Sequence, residues 1–252
     1  MGDPIEILKW YMTAGIEEIC ADSPVNFLQK ETNMSSVGGE RPATSVLAQA
    51  SQAAYSNARD LCLQAETLSE LRKMVENFEG CSLKFSANST VFGYGHEHAQ
   101  LMIIGEAPGA DEDRIGQPFV GRSGHLLDKM IEAIGLTREA CYITNVLPWR
   151  PPGNRTPTDG EVSVCLPFLQ RQINLIKPKI ILLLGASAAN AVLNNGESIS
   201  KLRGHFTDYQ MSDGSAVPTI ASFHPAYLLR APAQKAKAWS DFLRIKKYLT
   251  EV

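Results

Sequence analysis

The rhythm of apolar residues changes near residue 100. Before it, Ile5, Leu8, Tyr11, Met12, Ile16 and Ile19 fall near the spacing of one helix face, and Pro4 suits a first turn. The pattern therefore predicts a helix over Pro4–Cys20. Residues 30–57 are rich in Ser, Thr, Gly, Ala and Gln and poor in bulky apolar side chains, which reads as a mobile linker. Leu68, Leu71, Val75 and Phe78 mark a helix that ends near Gly80. After residue 100, short apolar runs alternate with helical stretches. Strands are predicted at Leu101–Gly105, Cys141–Asn145, Ile180–Leu184 and Val217–Ser222. Helices are predicted at Gly124–Gly135, Asp159–Ile176 with Thr158 as its cap, Ala186–Asn194 and Ala233–Leu249. Runs such as Ile180–Leu184 have no polar face, as strands buried on both sides require. The alternation implies an α/β fold with a parallel sheet between two helical layers. Residues 1–77 form an N-terminal helical extension and linker in this reading, and residues 78–252 form the domain.

Composition narrows the class. The 252 residues are 44% hydrophobic and 20% charged, which excludes wholesale disorder. No run reaches the ~18 apolar residues of a membrane span, and no secretory signal is visible. Five cysteines, at 20, 62, 81, 141 and 165, have no tight spacing. A cytoplasmic, reducing address fits them better than a disulfide framework. The net charge of −3 hides an asymmetry. Residues 1–99 hold 7 basic and 13 acidic residues, and residues 100–252 hold 17 and 14. A basic face in the second half is therefore allowed.

Ligands of open α/β sheets bind beyond the carboxyl ends of the strands. The residues at those ends are Gly105-Glu-Ala-Pro-Gly109 with Asp111-Glu-Asp113, then Asn145 with Pro151-Pro-Gly-Asn-Arg155, then Gly185-Ala-Ser187, then Phe223-His-Pro225. Any one of these could be an ordinary turn. Together they bring carboxylates, carboxamides and a histidine to one edge. No Gly-Lys-Ser/Thr follows the first glycine loop, which weighs against phosphate transfer.

In chain order, Gly105–Gly109, Gln117-Pro-Phe-Val-Gly-Arg122, Arg150-Pro-Pro-Gly-Asn-Arg155, Leu202-Arg-Gly204 and His224-Pro-Ala-Tyr-Leu-Leu-Arg230 resemble the family 4 uracil-DNA glycosylases. The resemblance runs from about Phe78 to about Tyr248. It implies a three-layer αβα sandwich on a four-stranded parallel sheet and hydrolytic excision of uracil from DNA in base excision repair. It departs from the family at one place. Family members hold an iron–sulfur cluster on four cysteines, and the matching positions here are Phe78, Cys81, Trp149 and Cys165. Two thiolates remain where four are needed, so no cofactor and no metal are expected. The two aromatic rings are expected to face each other across the vacated volume. A zinc ion on the two cysteines and a histidine is the alternative.

The resemblance also assigns roles. Glu106, Asn145, His224 and Glu112 are the catalytic candidates, with Glu106 or Glu112 orienting water. Phe119 stacks on the base, and Gly105, Ala107, Gly109 and Asn154 shape its pocket. Glu112 is the candidate that blocks a C5 methyl group and so excludes thymine. Tyr227, Leu228 and Leu229 sit on a loop between Pro225 and Pro232 as candidate wedges in the DNA. Arg122, Arg155, Arg203 and Arg230 clamp phosphates. The implied partner is uracil-containing DNA, met by a monomer with no membrane contact, and the N-terminal helix could hold a protein partner. A DNA-binding relative that recognises uracil or damage without excising it is the competing reading.

Overall fold

The computed structural model describes residues 42–251. The helix expected over Pro4–Cys20 lies outside them. The sheet has six strands in the order β1-β3-β2-β4-β6-β5. These are β1 (Tyr94–Gly95), β2 (Leu101–Gly105), β3 (Tyr142–Asn145), β4 (Ile180–Leu184), β5 (Phe206–Gln210) and β6 (Ala216–Ser222). The four expected strands form the parallel centre. The sheet is nevertheless mixed, not four-stranded, because β1 and β5 add an antiparallel strand at each edge. Four of the five side chains of β5 are exposed, so it has no apolar run to announce it.

The helices are α1 (Pro42–Gln64), α2 (Leu68–Asn77), α3 (Leu83–Ser86), α4 (Ala110–Ile115), α5 (Arg122–Ala133), α6 (Asp159–Ile176), α7 (Ala186–Leu193), α8 (Ile199–Leu202), α9 (Pro225–Arg230) and α10 (Lys235–Glu251). Single-turn 3-10 helices occupy Pro152–Asn154 and Pro232–Gln234. Side chains alternate across each strand. Met102, Ile104, Ile181 and Leu183 face a core shared with α1, α2, α6 and α7. Leu101, Ile103, Leu182 and Leu184 face the opposite core, against α5 and α10. The centre of the sheet is thus buried on both faces, as the polar-free runs of β2 and β4 predict.

Helix α1 overturns the linker reading for residues 42–57. Its small residues are what let it approach closely: Ala58 and Cys62, with Ala65 just past its end, lie in the same core as the sheet. Arg171 on α6 also donates to the Ala65 carbonyl. Residues 58–77 therefore belong to the core of the domain. Helix α6 starts where Thr158 predicts. The Thr158 hydroxyl accepts from the Glu161 amide, and the Glu161 carboxylate accepts from the Thr158 amide. Among the described residues, no helix is long and apolar enough to cross a membrane.

Candidate functional site

Parallel pairing places Gly105 directly beside Asn145 at the carboxyl ends of β2 and β3. A Cβ at Gly105 would lie 2.4 Å from Asn145 Oδ1 and 2.6 Å from Phe119 Cζ, so only glycine lets these two side chains converge. They meet in a cavity of about 740 Å³, lined also by Glu106, His224, Ser123 and Ser187. Asn145 is buried, yet its carboxamide makes no hydrogen bond to protein among the described residues. The Glu106 side chain likewise has no such partner. Both are left for a ligand.

Phe119 occupies the left-handed region with φ 54°, which is strained for an aromatic residue. Its surroundings impose the strain. Arg138 Nη1 donates to the Phe119 carbonyl at 3.0 Å and to Asp128 at 2.9 Å. Gly124 passes so close that a Cβ there would sit 1.8 Å from the Phe119 oxygen. The ring stacks on His224, with centroids 5.6 Å apart and planes 29° from parallel. Sequence reading missed Arg138 and Gly124, and no motif could have marked them, because they act on a main-chain atom.

His224 follows β6 and caps α9. Its Nδ1 accepts the Ala226 amide proton at 3.1 Å, which leaves Nε2 to carry the proton of the neutral ring. Burial, then the Arg230 charge, push its pKa from 6.5 down to about 4, against a weaker pull from Glu112. The imidazole is therefore neutral near pH 7 and a donor through Nε2.

Glu112 joins two main-chain segments beside the cavity. Its Oε2 accepts the Gly109 amide at 3.1 Å, and its Oε1 accepts the Val120 and Gly121 amides at 3.0 Å each. Both oxygens are spent holding the Gly105–Gly109 loop to the Pro118–Arg122 segment. Asp113 ties α4 to a different segment, accepting from the Asn88 and Ser89 amides at 2.8 and 3.2 Å. Gly109, Ala107 and Asn154 line the cavity as expected. Asn154, at φ 56°, accepts from Arg150 at 2.7 Å.

The expected DNA-contacting residues divide. Arg122, Leu229 and Arg230 line a hollow of about 390 Å³ next to the cavity, and Tyr227 and Leu229 are exposed. Leu228 is no wedge. The segment between Pro225 and Pro232 coils into α9, whose periodicity turns Leu228 inward to 1% exposure against Phe223 and Ala238. Arg203 is no phosphate clamp. It makes an ion pair with buried Asp241 at 2.5 Å, donates to the Lys237 carbonyl and lies over the Phe223 ring. Arg155 lines the cavity but is held by two bonds to Glu161, at 2.9 and 2.6 Å.

The four positions of the family's cluster do not fit that group. Phe78 and Trp149 are buried at 3% and 1% exposure. They do not form the expected facing pair. Phe78 packs edge-on to Phe168 at 5.0 Å, and Trp149 Nε1 donates to Thr90 Oγ1 at 3.0 Å, because an indole buried this deeply needs an acceptor. The Cys165 thiol donates to Cys81 Sγ at 3.9 Å. In a four-iron cluster each cysteine binds its own iron, whereas these two sulfurs touch.

Residues 92–243 match the uracil DNA glycosylase superfamily. The Type-4 uracil-DNA glycosylase of Archaeoglobus fulgidus is 40% identical over 184 residues, which are 71% of this chain and 92% of the relative. That of Thermotoga maritima is 39% identical over 166 residues, 66% of this chain and 84% of the relative. The Type-5 uracil-DNA glycosylase of Pyrobaculum aerophilum is 29% identical over 150 residues, 54% of this chain and 65% of the relative. Matched along most of its described length, with the cavity at the carboxyl edge of the sheet, the chain belongs to the uracil DNA glycosylase superfamily.

Proposed function

We propose that this chain is a monofunctional glycosylase that removes uracil from DNA. The observation that carries the reading is one cavity in which an unpaired carboxamide, a strained aromatic ring and a neutral histidine donor meet an unpaired carboxylate. The glycosidic bond is inaccessible in a duplex, so the nucleotide is flipped out and the base is held in the cavity. Phe119 stacks on the base. Asn145 offers one donor and one acceptor, which match uracil O4 and N3–H and mismatch cytosine. The wrong base leaves buried groups unpaired, and this gives discrimination. Glu112, locked by three amides, is a fixed wall of the cavity and the group that excludes a C5 methyl.

The bond from C1′ to N1 then breaks, and its electron pair stays on uracil. His224 Nε2–H donates to O2, where that charge grows, from a position set before the reaction. A neutral donor suits the site, since it stabilises the departing anion without becoming a buried cation. The Glu106 carboxylate faces the positive charge on the sugar and orients water. The water oxygen bonds to C1′ as its proton passes to the Glu106 carboxylate and from there to the uracil anion, and the products are neutral uracil and an abasic site. Arg122, Arg155, Arg230, Tyr227 and Leu229 provide the DNA face, with Leu229 as the wedge.

This reading needs no metal. The donor set supports a chain without the cluster, in which Phe78, Phe168 and Trp149 complete the core. The test is incubation with a labelled uracil-containing oligonucleotide, followed by alkali. Cleavage only after alkali, in the presence of chelator, is expected. Cleavage without alkali would overturn the monofunctional reading, and binding without any abasic product would replace it with a non-catalytic one.

A further inference from the structure

A second hollow, of about 750 Å³, adjoins the catalytic cavity, and the two share Glu106, Thr156 and Ser187 on their walls. Helix α1 closes its far side with Gln52 and the half-buried Tyr55. That helix is anchored by Ala58, Cys62 and Ala65, so its position is set by the core. The floor is apolar, from Val146, Leu147 and Leu166. Gln170 stands on the wall opposite α1. The side chains of Gln52, Tyr55 and Gln170 make no hydrogen bonds to protein among the described residues.

The chemistry of this lining is selective. Among the described residues it contains no lysine or arginine, and its charges are the carboxylates of Glu106 and Asp159. A phosphate is repelled there. A neutral planar heterocycle fits, with an aromatic ring to stack on, an apolar floor, and carboxamides that can donate or accept at its edge. Continuity with the cavity through Glu106 means that a strand with one nucleotide in the first site reaches the second with its neighbour. Arg155, one residue from the shared Thr156, lines the first cavity and not the hollow, and its charge is paired with Glu161.

We propose that this hollow is a second nucleobase subsite, which takes the unpaired base beside the flipped uracil and stacks it on Tyr55. The proposal rests on the reading of the first cavity as a uracil site. In a duplex the neighbouring base is held by its own pair and stack, so the subsite acts on single strands. It gives α1, a segment that precedes the matched superfamily region, a direct part in choosing substrate.

The test uses single-stranded oligonucleotides in which a tetrahydrofuran residue replaces the base on one side of the uracil or the other. For the wild-type chain, one of the two replacements should raise KM about tenfold, within the range base–aromatic stacking supplies, with kcat unchanged. Tyr55→Ala should raise KM about tenfold on the intact strand and be blind to that replacement. Tyr55→Phe should behave as wild type, and duplex substrates should not distinguish the variants. Gln170→Ala repeats the test from the opposite wall should loss of the Tyr55 ring loosen α1. A binding measurement separates this proposal from the catalytic one. With 2-aminopurine beside uracil, the His224→Ala chain should quench the fluorescence on binding, and His224→Ala with Tyr55→Ala should not. Equal responses of wild type and Tyr55→Ala to both replacements, or quenching that survives loss of the ring, would overturn the subsite. Quenching without any uracil release by the wild type would leave the subsite standing and remove the catalytic reading.

Discussion

Replacing Glu112 by glutamine separates the water-activating role that the sequence suggests from the loop-holding role that its hydrogen bonds suggest. The carboxylate accepts three main-chain protons, one on Oε2 from Gly109 and two on Oε1 from Val120 and Gly121. Glutamine has one acceptor oxygen. Kept toward Val120 and Gly121, it turns its amino group against the Gly109 amide, so one hydrogen bond is replaced by two donors in opposition. An unsatisfied buried donor costs about 1–3 kcal/mol, and the two surviving bonds lose their charge assistance. The expected loss is about 2–4 kcal/mol of stability. Urea unfolding should lower the midpoint by that loss divided by the slope, with the slope unchanged. Activity should fall with it, mainly through KM, as the Phe119 segment loosens. Glu106→Gln is the control. Its side chain has no protein hydrogen bond to lose, so stability should stay within about 0.5 kcal/mol while kcat collapses. Should Glu112→Gln unfold like wild type and lose kcat by orders of magnitude, the carboxylate acts on water and the positioning role is refuted.

Asn145→Ala and His224→Ala should each lower kcat by about two to three orders of magnitude with DNA binding retained, as gel-shift and single-turnover measurements would establish; normal cleavage by either removes its assigned role. The His224 pKa, pushed from 6.5 down to about 4, favours the neutral ring in the fold, so its contribution to stability is present above about pH 6.5 and is lost as pH falls toward 4. A histidine NMR titration should keep the ring neutral with its proton on Nε2 at pH 5–8, and a midpoint near 6.5 would contradict the burial argument. Protein purified without oxygen should be colourless and contain no stoichiometric iron, since Phe78 and Trp149 fill two cluster positions; a visible cluster band would show that other side chains supply ligands. Leu228→Ala should cost about 2–5 kcal/mol, whereas Leu229→Ala should leave stability within about 0.5 kcal/mol and slow excision from duplex DNA, so the reverse ranking would restore Leu228 as the wedge.

The sequence alone determined what local rules govern. Strands β2 and β4 are runs without polar positions, and only burial on both faces accommodates such runs, so their place at the centre of the sheet was legible. Thr158 and Glu161 mark the start of α6 because a helix end needs partners for its free amides. The cavity was legible too, as parallel strands bring their carboxyl ends to one edge, and Glu106, Phe119, Asn145 and His224 all lie at or near that edge. Tertiary structure decided what depends on distant neighbours. Residues 42–57 resemble a linker until a core stands beside α1 for Ala58 and Cys62 to enter. Strand β5 is exposed along most of its length and becomes a strand only by pairing with β6. Glu112 and Arg203 carry the charges that catalysis and phosphate binding use, but Glu112 faces three amides and Arg203 faces Asp241. A charged side chain is claimed by whichever partner the fold brings to it in a poorly solvated place, and no spacing along the chain reveals that partner.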